Sequence, residues 1–127
     1  MVRRGDYQEL RAWRTGTVRT AARRARGTDL LVVPMSVLDP PRVDELLGGL
    51  AARGQDVRHV TLHASPPVLL ARVDGDAHDE GAREWRRRAA DRYAAVADEL
   101  ARRGPVVVTD GLAPTQVADA VLRAVAG

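Results

Sequence analysis

Two histidines, His59 and His63, stand four residues apart in the run "VRHVTLHA". In a strand, residues at even spacing point to one side, so both imidazoles would share a face. Two ring nitrogens on one face suggest a metal. No third ligand has matching spacing, however, and the strand reads as buried, so no metal site is expected. The loop "DGDAHDE" gathers Asp74, Asp76, His78, Asp79 and Glu80. It does not follow the spacing of an EF-hand loop and reads as a solvated acidic turn. A denser set opens the chain. "GDYQELRAWR" crowds Asp6, Tyr7, Gln8, Trp13 and Arg14 into residues 5–14, including two of only four aromatics. A carboxylate there can cap a helix or take a proton, and a guanidinium can pair with an anion.

The chain of 127 residues has the usual size of one domain, and a single domain is expected over 1–127. The absence of cysteine excludes a disulfide framework and any thiolate zinc site. Apolar runs are too short to span a bilayer, and no apolar stretch of a signal peptide follows the first arginines. The expected compartment is the cytoplasm, with no membrane partner. All twenty basic residues are Arg, and Lys, Ile, Asn and Phe are absent. That pattern is the imprint of GC-rich coding, as in a high-GC bacterium, rather than a device for nucleic acid. A net charge of +3, with acids and bases interleaved, lacks the coherent basic stripe that tracks phosphates. No nucleic-acid partner is expected.

The elements follow from periodicity and punctuation. Helical spacing over 6–26 predicts a helix capped by Asp6, with Gly16 as a break and Gly27 as its close. "DLLVVPM", 29–35, is a continuous apolar run and predicts a strand buried on both faces. Asp39, with Pro40 and Pro41, predicts a helix start, and Gly54 its end. The glycine pair 48–49 weakens that helix. A second strand is expected over 57–64, then a short helix over 66–73 capped by Ser65. A long helix follows over 82–103, with Trp85, Ala89, Tyr93, Val96 and Leu100 on one face and Gly104 as its end. "PVVVTD" is the third strand, and 114–126 the last helix. Strands alternating with helices imply a parallel sheet with right-handed crossovers and helices on both faces. In such sheets ligands bind beyond the C-terminal strand ends. The loops "MSVLDPP", "HASPP" and "TDGLAP" therefore matter most.

Taken in order, "GDYQELRAWR", "LLVVPMSVLDP", "RHVTLHASPPVLLARV", a Trp with "DRY" in a long helix, and "VVVTDGLAPTQVADAV" resemble the tunicamycin-resistance type of ATP-binding protein, a branch of the P-loop kinase-like NTPases. The resemblance runs nearly end to end and rests on five modest pieces in order. It implies a three-layer α/β/α fold with a parallel sheet and a lid over about 72–92. It implies ATP and Mg²⁺ as cofactors, and a small-molecule substrate or antibiotic as acceptor. One departure is large. The chain has no Lys and no G-x-x-x-x-G-K-[ST] loop, the element whose N–H groups and Lys hold the phosphates. The expectation is a P-loop kinase-like domain truncated at its N-terminus, with the first two strands and the P-loop missing. Such a chain would not transfer phosphate by the family mechanism. The alternative is a non-catalytic remnant that binds a ligand or partner. A sheet lacking strands would make a homodimer unsurprising.

By resemblance, Asp6 would orient or deprotonate an acceptor hydroxyl, with Gln8, Trp13, Arg14 and Ser36 on the acceptor side. The plainer readings are an N-cap for Asp6, core packing for Trp13, and loop hydrogen bonding for Ser36. Arg72 and Arg92 would be lid arginines that clamp phosphates, although the acidic loop after Arg72 departs from a basic lid. Arg86, Arg87 and Arg88 read as a solvated helix face. Thr109, Asp110 and Gly111 would pass the adenine. Otherwise they make a strand-to-helix turn, with Asp110 or Thr115 capping the last helix.

Overall fold

Prolines at the first helical positions organise much of this chain. Their fixed φ suits a first turn, and their missing N–H costs nothing there. Pro40, Pro66 and Pro114 each open a helix. The computed structural model describes residues 11–75 and 80–126, and within these it is mixed α/β and mostly helical. Its elements are α1 (Arg11–Ala25), α2 (Pro40–Ala52), β1 (Thr61–His63), α3 (Pro66–Asp74), α4 (Glu80–Ala101), β2 (Val106–Val108) and α5 (Pro114–Val125). The chain divides into two compact units, with the boundary between Val57 and Arg58. No described helix is long and apolar enough to cross a membrane.

The first unit is a pair of packed helices. Val18, Ala21 and Ala22 of α1 are buried, as are Val43 and Leu46 of α2. Gly49 is the point of close approach. A Cβ there would lie 3.2 Å from both methyl carbons of Val18, so glycine lets α2 sit against α1, while Gly48 faces open space. Gly16 does not break α1, which runs unbroken from Arg11 to Ala25; one exposed glycine costs only about 1 kcal/mol against alanine. The end of α2 is a Schellman motif. Gly54 takes φ +81°, its N–H bonds Ala51 O, and the N–H of Gln55 bonds Leu50 O. Asp39 stands at the N-cap of α2 without a side-chain cap bond.

The run 29–35 departs from its expected form. Residues 30–39 have no regular structure, and Leu30, Val32, Val33 and Met35 are exposed. An apolar, β-branched run is suited to a sheet interior, but it forms a strand only when neighbours take its N–H and C=O groups. Among the described residues no strand pairs with it.

The second unit is built around β1 and β2, which pair in parallel with Thr61, Leu62 and His63 opposite Val106, Val107 and Val108. This is a two-stranded sheet where three strands were expected. A parallel pair needs a long crossover, and α3 with α4 supplies it. These two helices pack on each other, and α5 packs on β2. The core holds Ala64, Val73, Leu100 and Val107. Leu100 and not Trp85 anchors α4: Leu100 is 3% exposed and Trp85 48%. Gly104 passes so close to the segment entering β1 that a Cβ would overlap the carbonyl oxygen of His59.

Candidate functional site

The C-terminal ends of the two parallel strands converge, and the polar residues beyond them hold one another. Thr109 follows β2. Its N–H donates to His63 O at 2.8 Å, and its hydroxyl donates to the same oxygen at 3.0 Å. The hydroxyl also accepts from Arg72 Nη1 at 3.0 Å, while Arg72 Nη2 donates to Thr109 O at 3.1 Å. Arg72 sits in the last turn of α3, so one guanidinium ties that helix to the end of β2.

The next residue repeats the link from the other side. Ser65 N–H donates to Asp110 Oδ1 at 3.0 Å. Hydrogen bonds from Ser65, through both side chain and backbone, hold the Asp110 carboxyl below its ordinary range, and the nearby charges of Arg72 and His63 act in the same direction. Ser65 therefore does not cap α3 with its side chain, and Asp110 does not cap α5. That end is closed by Gln116, whose Oε1 accepts from Ala113 N–H at 2.8 Å. Gly111 takes φ +69° in the turn closed by Leu112 N–H on Thr109 O, a geometry that favours glycine.

Because the native carboxyl of Asp110 binds its proton less readily than an unfolded one, the unfolded chain takes up that proton first as pH falls. The contribution of Asp110 is thus intact above about pH 4, the ordinary aspartate value, and is lost as pH drops through the lowered native value. Comparing urea midpoints of wild type and Asp110→Asn, the gap should be constant near neutrality and shrink below about pH 4. A gap unchanged from pH 7 to pH 3 would contradict the assignment.

A third contact completes the group. Tyr93 Oη of α4 lies 2.5 Å from His63 Nδ1, and burial pushes the Tyr93 hydroxyl above its ordinary value. Beside this pair, a pocket of about 180 Å³ opens between α3 and α4, bounded by Ala64, Leu69, Leu70, Ala94 and Ala97. Asp91 also lines this space; small apolar walls with a few polar groups at the edge are what a binding pocket uses to orient a ligand.

The expected site residues fall into several groups. Asp6 and Gln8 lie outside the described residues. Arg72, Thr109, Asp110 and Gly111 come together at the strand ends. Arg92 is exposed on α4, one position before the inward Tyr93. Of the neighbouring arginines, Arg88 pairs with Glu84 at 2.9 Å, and Arg87 Nε donates to Asp74 Oδ1 at 2.9 Å. Arg87 thus joins α4 to the end of α3 rather than only facing solvent. Ser36 is exposed in the irregular segment. Of the two described members of the opening cluster, Arg14 is buried and Trp13 half-buried, the reverse of a tryptophan core. The Nε of Arg14 stands 2.7 Å from Glu45 Oε2, a charge contact rather than an aligned hydrogen bond. Sequence reasoning had no role for Tyr93 beyond the apolar stripe and none for Ser65 beyond a cap. Their signal was weak: a polar tip on a stripe residue, and a hydroxyl directly after a strand.

Among the described residues, no group of three or more His, Asp or Glu side chains converges to hold a metal ion. Comparison with family models, curated proteins and solved structures finds no match to this chain.

Proposed function

We propose that the chain is a nucleotide-binding component of the P-loop kinase-like type. In this reading the second unit supplies the adenine-side loop and the start of the lid, the first unit supplies acceptor-contacting residues, and the chain does not itself transfer phosphate. The observation that carries the reading is the meeting of Arg72, Thr109 and Asp110 beyond the ends of two parallel strands, where α/β sheets place their ligands. The order of strands and helices and the motif succession add to it. Asp6, Gln8, Trp13, Arg14 and Ser36 would face a small-molecule acceptor or an antibiotic, and Arg72 and Arg92 would meet ATP phosphates. The three-layer sheet would be completed by strands outside those described, one of them carrying the phosphate loop.

A second reading is favoured by one specific feature. Arg72 is already bound to Thr109, and Asp110 to Ser65. A phosphate clamp would have to give up those bonds, whereas a non-catalytic ligand-binding protein of the same fold would keep them as a structural clasp and use the adjoining pocket.

Calorimetric titration with Mg-ATP tests the first reading. Without a lysine-bearing glycine loop, binding should be weaker than about 1 mM, or about −4 kcal/mol. The weak binding should still saturate: a titration with no saturable heat would overturn the nucleotide-binding reading, and micromolar affinity would overturn the claim that this loop is indispensable.

A further inference from the structure

The polar side chains on the pocket between α3 and α4 are matched to a hydrogen-bond donor. The hydrocarbon part of that pocket comes from Leu69 and Leu70 on α3 and from Ala90, Ala94 and Ala97 on α4. The three alanines stand at i, i+4 and i+7, so they share one side of the helix. Larger side chains there would fill the space of about 180 Å³ that alanine leaves. An apolar cavity of about 150 Å³ holds one benzene ring. Leu70 is 41% exposed, so a ligand seated here would take apolar surface out of water. Asp91 is the only Asp, Glu or Arg on the lining, and an ionised carboxylate only accepts hydrogen bonds. Among the described residues Asp91 has no hydrogen bond or ion pair. The arginines one turn before it are engaged elsewhere, Arg87 with Asp74 and Arg88 with Glu84. Tyr93 Oη is a second acceptor. A hydroxyl has one proton and two lone pairs, and its single contact with His63 Nδ1 uses either the proton or one lone pair. A lone pair is left in both cases. The second ring nitrogen of His63 donates in one tautomer and accepts in the other, so it selects neither kind of ligand.

We infer that the α3–α4 pocket binds a small primary amine carrying a single hydrocarbon ring, with its ammonium at Asp91 and Tyr93 Oη and its ring against Leu69, Leu70 and the three alanines. The inference rests on the ligand-binding reading above, whose pocket this is, and adds the class of ligand. An ammonium has three N–H donors and no acceptor, the complement of a carboxylate and a hydroxyl oxygen. Tyr93 also brings an aromatic ring, whose face attracts cations. A carboxylic acid of the same size would bring a second negative charge to Asp91. A neutral alcohol would satisfy the tyrosine oxygen and leave the ion pair unmade.

The test titrates the full chain, at neutral pH and low ionic strength, with phenethylamine, phenethyl alcohol and phenylacetate, and follows backbone amide NMR shifts. The three probes share one ring and differ at the polar end. Saturable shifts at 63–70 and 90–97 are expected, with the amine bound about fivefold tighter than the alcohol and phenylacetate bound weakest. Asp91→Asn should weaken the amine about fivefold, the upper range for an exposed ion pair, and leave the alcohol unchanged. Asp91 is exposed, so this change removes no buried group, and circular dichroism verifies that the helices persist. Tyr93→Phe should weaken amine and alcohol alike. Ala94→Leu, at an exposed position on the pocket wall, should block both. The amine class is overturned if the alcohol or phenylacetate binds as tightly as the amine, or if Asp91→Asn keeps wild-type affinity for it; saturable binding of the alcohol would then leave the ligand-binding reading standing. If none of the three probes shifts these amides, the pocket is removed from that reading and the inference falls with it.

Discussion

Gly104→Ala is expected to destabilise the second unit by about 3 kcal/mol or more, beyond the usual range for a surface glycine. The cause is not φ, since Gly104 lies outside the positive-φ set. The new methyl carbon would overlap the His59 carbonyl oxygen and stand 3.0 Å from its carbon. Both are backbone atoms and cannot rotate away as a side chain would. Relief requires the strand entry to move, and the next residue, Pro105, supplies the carbonyl that accepts Thr61 N–H at 3.0 Å. The first bond of the parallel pair would go with it. Urea denaturation read by circular dichroism measures the effect. A loss below about 1 kcal/mol, the ordinary penalty of an unstrained glycine change, would show that the approach is looser than described.

Arg72→Ala should cost about 2 kcal/mol, the second-largest effect. Two donor contacts to Thr109 disappear together, and bonds from a charged donor contribute about 1.5–3 kcal/mol each when buried, less where water can substitute. Thr109 keeps its own bonds to His63 O, so the strand pair survives and only the tie to α3 is lost. Arg72→Lys should recover little, because an ammonium cannot span a hydroxyl and a carbonyl with a flat fork. If Arg72→Lys matched wild type in a urea melt, charge alone would account for the contact and the forked geometry would be irrelevant.

The helices were legible because their signals are local. Pro40, Pro66 and Pro114 marked starts, Gly54 marked an end, and the 3.6-residue spacing of Val43 and Leu46 marked a buried stripe. The sheet was less legible because pairing is not local. "DLLVVPM" has the composition of an interior strand, yet composition does not provide a neighbour to bond with, and Leu30, Val32 and Val33 stand exposed. The site was half legible. Position after a strand singled out Thr109 and Asp110, and the resemblance singled out Arg72. Neither could say that these residues bind one another, since the Ser65–Asp110 contact joins residues 45 apart. Arg14 was harder still. A charged residue is seldom an interior one, and here the interior position went to the arginine because Glu45 on the facing helix meets it.

The placement of the two tryptophans makes the chain its own optical reporter. The sequence holds two Trp and no Phe. Trp13 is half-buried on α1, beside Arg14, and Trp85 is half in water on α4. Each unit thus contains one strong fluorophore in a different environment, the first more shielded and the second more open. Replacing either indole with tyrosine leaves a single emission band that follows one unit alone, so the packed helix pair and the strand-end clasp can be watched separately without an added label.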